Sequence, residues 1–110
     1  MKFTTTNVSM VEILAADDFI AIPIKVAETG TVLAGTPLTA AGAKVADGTG
    51  AAGILLYDVD TEANPNGAIV VQGVINQRKA EAHAGVTYNA AALKTAVPGI
   101  VLRNNVGVNA

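Results

Sequence analysis

Residues 54–75 read ILLYDVDTEANPNGAIVVQGVI, and their interpretation decides the fold. Two apolar runs, residues 54–60 and residues 68–75, flank a connector that contains Asn64, Pro65, Asn66 and Gly67. The second run is dense in β-branched Ile and Val, which suit a pleated, half-buried surface. Two such runs joined by a short Asn/Pro/Gly connector predict an antiparallel hairpin with a longer-than-minimal loop. Asn66 and Gly67 are expected to make the reversal, since both tolerate positive φ.

Working outward, residues 19–26 are β-prone, and Ile20, Ile22, Ile24 and Val26 fall on one face of an extended chain. Pro23 has no N–H to donate, so this segment is an edge strand or is broken there. Residues 28–30 read as a turn, residues 31–33 as a short strand and residues 35–38 as a further bend. Residues 39–52 are Ala, Gly, Thr, Lys, Val and Asp with little to bury, hence a surface loop with a short strand near residues 43–45. On the other side of the hairpin, Asn76 is placed to cap a helix over residues 77–83, with Gly85 as its left-handed stop. Asn89 caps a second helix over residues 90–95, residues 100–102 form a closing strand, and residues 104–110 read as a tail. The expected fold is therefore mainly β with short helices, a β-rich α+β single domain of short strands over residues 19–110. Residues 1–18 precede it as an arm, flexible or partner-binding, whose apolar patch at residues 11–16 fits a helical turn and an extended segment equally well.

At 110 residues the chain can bury a core without metals or disulfides, and it has no cysteine. Aromatics are only 4% of it, so its small and β-branched core gains less transfer free energy per residue than a Phe/Leu core. Burial against neighbouring subunits is the expected remedy. Charge is uneven: residues 1–62 carry three Lys against eight Asp/Glu (−5), residues 63–110 four Lys/Arg against one Glu (+3). Neither half has a basic cluster interleaved with aromatics, which argues against nucleic acid as a partner. No apolar run approaches the roughly 20 residues that span a bilayer, and no secretory signal is evident. A soluble protein made in the cytoplasm is expected.

The patterns that resemble chemical sites do not hold together. Gly48, Gly50 and Gly53 spell the dinucleotide fingerprint G-x-G-x-x-G, but a strand follows where a helix is required, and residues 68–76 hold no acid for the ribose. Asp58, Asp60 and Glu62 alternate as in a calcium loop, yet Ala63 and Ile69 stand where Gly and Glu are needed. On a strand the two aspartates are simply a solvated face. His83 is the only histidine and Ser9 the only serine, and a preorganised nucleophile does not sit in an arm. His83 is better read as a cation near a helix C-terminus. Arg78 and Lys79, in a first helical turn that disfavours cations, are expected to face acidic groups elsewhere, as in a subunit interface. No catalytic, cofactor-binding or metal-binding residue is assigned, and the chain is not read as an enzyme.

Three segments carry a likeness. Gly35-Thr36-Pro37-Leu38, then Gly53-Ile54-Leu55-Leu56-Tyr57-Asp58-Val59-Asp60, then Val71-Gln72-Gly73-Val74-Ile75-Asn76 succeed one another in that order. They resemble the G-x-P-L, G-I-L-L-x-D-V-D and G-x-I/V-N segments of tailed-phage head decoration proteins of the lambda type and of the related head fibre proteins. The resemblance covers about residues 30 to 103. It implies a structural protein on the outer surface of the virion head, made in the host bacterium, with the phage major capsid protein as partner. It also implies a homotrimer at three-fold positions, held to the capsid by its N-terminal segment. Phe3, Val11, Ile13 and Leu14 are the candidate capsid contacts. The N-terminus itself matches no family motif. A head fibre anchor is the alternative, disfavoured by a chain that ends at Ala110 with nothing to project. A small carbohydrate- or ligand-binding β domain is a second alternative, disfavoured by the absence of Trp and the presence of only two Tyr.

Overall fold

The computed structural model of the chain describes residues 13–15, 18–45 and 47–103. Its elements are β1 (Ile20–Lys25), β2 (Thr31–Val32), β3 (Pro37–Leu38), β4 (Gly53–Leu55), β5 (Val59–Asp60), β6 (Asn66–Asn76), α1 (Gln77–Ala84), α2 (Ala90–Ala96) and β7 (Ile100–Arg103). This is a small single domain, mostly short strands with two short helices. The 11-residue β6 organises it. β1 pairs with β6 on one flank and β4 on the other, both antiparallel, and β3 continues the sheet beyond β4. β7 pairs parallel with the far end of β6, and β2 and β5 form a separate two-stranded sheet.

Side-chain alternation along the paired strands builds two cores. Ile54 and Val70 are cross-strand partners and enter one cluster with Ile13, Ile75, Leu93 and Ile100. Their neighbours Leu55 and Ile69 also pair, and enter a second cluster with Val26, Val32, Leu38 and Val59. Period-two alternation thus makes one strand pair serve both faces, the helices and β7 covering one and β2/β5 the other.

β6 changes partners at Gly73. The β1 ladder ends at Gln72 and the β7 ladder starts at Gly73. The φ of Gly73 is +151°, and a Cβ there would lie 2.8 Å from the Phe19 Cβ, so only glycine lets the strand turn here. Just before it, Ile20 opposes Gln72 while Ala21 opposes Val70, a β-bulge that leaves Val71 unopposed.

The helices form where the capping residues predict. The Asn76 side chain accepts from the Lys79 N–H, and Gly85 (φ 73°) donates to the Glu81 carbonyl. Asn89 does the same for α2, accepting from the Ala92 N–H. Pro23 lies on an edge strand, as its missing donor requires.

Several expectations need correction. The hairpin pairs only over β4 and a last bond from the Leu56 N–H to the Ala68 carbonyl, after which the chain leaves β6 and β5 joins β2 instead. Asn66 and Gly67 belong to β6, and neither has a positive φ. Side chains make the reversal: Asp60 Oδ1 accepts from the Glu62 N–H and Asn64 Oδ1 from the Asn66 N–H. Residues 35–38 are a buried turn and strand, since Gly35, Thr36, Pro37 and Leu38 all lie inside. The arm drawn over residues 1–18 is too long. Leu14 bridges Ile75, the Asn76 N–H donates to the Ile13 carbonyl at 2.7 Å, and the Ala15 N–H donates to the Val74 carbonyl at 2.8 Å. Residues 13–15 are thus part of the sheet, held by β6.

Candidate functional surface

The proposed capsid contacts separate into two groups. Ile13 is fully buried in the core and Leu14 packs half-buried against it, which removes Ile13 as an exposed anchor and gives both a structural task. Phe3 and Val11 lie outside the described residues. Arg78 and Lys79 are exposed on the first turn of α1, and neither forms an ion pair among the described residues.

Around α1 the chain has built a polar staple that the sequence does not advertise. Asp58 Oδ1 accepts from the Ala34 N–H at 2.8 Å and meets His83 Nε2 at 2.8 Å. The two side chains are 30% and 27% exposed, so the pair is half-solvated. Asp58 is therefore more than part of a solvated face, whereas Asp60 is exposed and serves the turn. Glu81 accepts from the Tyr88 N–H and from Gln77 Nε2. The buried Tyr88 hydroxyl donates to the Gly35 carbonyl at 2.6 Å. Burial, with the Glu81 charge nearby, pushes that phenol well above the ordinary tyrosine value. These bonds tie α1 and its exit loop to residues 34, 35 and 58. Partners 25 and 53 residues apart are invisible to sequence spacing, so the staple had no local signal.

No group of three or more His, Cys, Asp or Glu could hold a metal ion among the described residues. The loop carrying Gly48, Gly50 and Gly53 runs directly into β4, so no helix opens after it to receive a phosphate. No described helix is long and apolar enough to cross a membrane. A small cleft of about 160 Å³ lies between Thr31, Leu33, Thr36, Lys44 and the end of α1 at Ala84 and Val86. Tyr88 is buried in one cluster, and the half-buried Tyr57 packs against the other.

Among the described residues, the three most exposed large apolar side chains fall at or near the start of the edge strand. Phe19 is 40%, Ile20 51% and Ile22 44% exposed, although the latter two share the face that Val26 buries at the other end of the strand. β2 and β5 pack over the Val26 end of that face. On another part of the molecule, Ala91, Ala92, Thr95 and Ala96 of α2 and the facing Thr49 and Gly50 line a shallow groove. Asn89 also lines it, and Thr95 donates its hydroxyl to the Ala91 carbonyl. Comparison with protein-family models, with curated proteins and with solved structures finds no match.

Proposed function

We propose that the protein is a structural head decoration protein of a tailed phage, binding the outer surface of the assembled capsid as a trimer at three-fold positions. The observation that carries this reading is the ordered set of segments that resemble those of that family. The first two meet in the sheet, since Pro37–Leu38 form β3, which pairs with Gly53 and Ile54 of β4, while Val59–Asp60 of the second belong to the separate β2–β5 sheet. The third segment, residues 71–76, is the end of β6 and the cap of α1. A likeness that falls on core elements is more telling than one scattered over loops.

Phe3 and Val11 remain the proposed contacts with the major capsid protein. Arg78 and Lys79, exposed and basic, are the proposed charged part of a subunit contact with a neighbour's acidic half. The rival carbohydrate-binding reading has little to stand on, since the chain has no Trp and one of its two tyrosines, Tyr88, is buried. The test is co-sedimentation with empty heads built from the capsid protein of the same phage genome. The full chain pellets with heads and a chain lacking residues 2–11 pellets far less. A full-length protein that stays in the supernatant overturns the reading.

A further inference from the structure

We propose that the cleft between residues 31–36 and the end of α1 binds a short-chain monocarboxylate. This goes beyond capsid decoration and does not depend on it.

Thr36 is the unusual member of the cleft lining. It is only 3% exposed, and its hydroxyl makes no hydrogen bond among the described residues, whereas the Thr61 and Thr95 hydroxyls both donate to carbonyls. A buried hydroxyl without a partner is costly and rare in folded proteins, so something outside the chain is expected to meet it. Lys44, also in the lining, is exposed and forms no ion pair among the described residues. Glu28 accepts from the Lys44 backbone N–H at 2.9 Å and leaves the ammonium free of it. The frame around these groups is fixed in advance. The Thr36 N–H donates to the Leu33 carbonyl, and the Thr36 carbonyl accepts from the Leu55 N–H at 2.9 Å. Tyr88 holds the Gly35 carbonyl and Asp58 holds the Ala34 N–H and His83, so the polar staple ties the turn at residues 33–36 to α1 and its exit. Walls set before binding lower the ordering cost of binding.

The lining selects the ligand class. Its polar groups are one ammonium and the Thr31 and Thr36 hydroxyls, with no Asp or Glu among them, which suits a single negative charge carried on oxygen. Val32, Leu33, Ala84 and Val86 supply the rest of the wall, so the anion needs an apolar body. Inorganic phosphate has no such body, and an alkylammonium would meet the Lys44 charge. At about 160 Å³ the cleft is small. A cavity of about 150 Å³ admits a six-carbon ring, so a carboxylate of about six heavy atoms such as butyrate fits, with its oxygens toward Thr36 and Lys44 and its alkyl chain against the apolar wall.

The test is a titration of the full chain with sodium butyrate at constant ionic strength, followed by amide proton–nitrogen NMR, with butyramide and inorganic phosphate as controls. Butyrate should shift the amides of residues 32–36, 44 and 84–86 saturably, with a Kd on the order of 1 mM for so small a ligand. Both controls should bind clearly more weakly. Lys44→Gln should weaken butyrate about fivefold, the modest effect of an exposed charge, and leave butyramide unchanged. Thr36→Val keeps the side-chain shape and removes the hydroxyl. It should also weaken butyrate about fivefold, while the melting temperature stays level or rises because an unpaired buried group is gone. Should that variant fail to fold, Lys44→Gln at its exposed position decides alone. The proposal is overturned by any of four results: no saturable shift, which leaves water alone in the cleft; shifts that map away from it; phosphate or butyramide binding as tightly as butyrate; or a folded variant that binds butyrate as the wild type does.

Discussion

Ile13 offers the sharpest test of where the domain begins. Its side chain is fully buried in the cluster that holds Ile75, Leu93 and Ile100, and its carbonyl accepts from the Asn76 N–H, the residue that caps α1. Ile→Ala at a closed core site costs about 2–5 kcal/mol in transfer free energy and cavity formation. The surrounding β6 and β7 backbones are tied in ladders, so collapse around the cavity is limited and a value of about 3–4 kcal/mol is expected. For a domain of this size that lowers the melting temperature by roughly 12–16 °C, at about 4 °C per kcal/mol. Leu14→Ala, at a half-buried side chain, should cost clearly less. Deleting residues 2–16 removes the Ile13 side chain and two backbone hydrogen bonds to β6, each worth about 1 kcal/mol net. The total, about 5–6 kcal/mol, equals the whole stability of a marginal domain. Thermal and urea unfolding followed by circular dichroism measure all three, with an unchanged urea slope showing that stability and not compactness has changed. A chain lacking residues 2–16 that melts within a few degrees of the intact protein would refute the reasoning and return residues 13–15 to a dispensable arm.

Further outcomes follow from the contacts around α1. Gly35→Ala should destabilise by about 1–3 kcal/mol, since Gly35 has φ +97° and a Cβ there would lie 2.5 Å from the Ala80 carbonyl oxygen; the urea midpoint reads this directly. Asp58→Ala should cost more than His83→Ala, because it strands the Ala34 N–H as well as the imidazole, and a double-mutant cycle should give a coupling under about 1 kcal/mol for so solvated a pair. Tyr88 sets an alkaline limit. Its phenol is raised in the folded state, so its contribution to stability is complete below the unfolded tyrosine value of about 10 and declines as pH rises past it. Unfolding free energy should therefore fall above about pH 10, and Tyr88→Phe should flatten that fall. A wild-type curve that stays level while Tyr88 ionises in the folded state, seen in the ultraviolet phenolate band, would contradict this.

Local chemistry made the helices and the organising strand legible. Asn76, Gly85 and Asn89 act through bonds to residues three or four positions away, so reading them requires no knowledge of the rest of the chain. The β-branched density of residues 68–75 likewise marks β6, and Pro23 marks an edge wherever that strand is placed. Partner choice was not legible. Nothing in residues 54–60 tells that the chain leaves β6 after Leu55 and gives Val59 and Asp60 to β2, because that exchange depends on which strand lies within hydrogen-bonding reach once both cores have formed.

The candidate surface divides the same way. Period two placed Ile20, Ile22, Ile24 and Val26 on one face, and the structure keeps that face. Whether a side chain on it is buried depends on how far β2 and β5 extend over it, and they stop short of Ile22. The residue pattern alone also could not separate a mobile patch from a sheet segment at Ile13 and Leu14, whose apolar side chains suit both. They are held by the Asn76 and Val74 backbone groups, about sixty residues further along the chain. Sequence by itself determined where the two helices begin and which runs build β1 and β6, since those preferences are settled within a few residues. Only the tertiary structure decided which apolar face is covered and which stays exposed, because coverage is a property of elements distant in sequence that come together once the whole chain has folded.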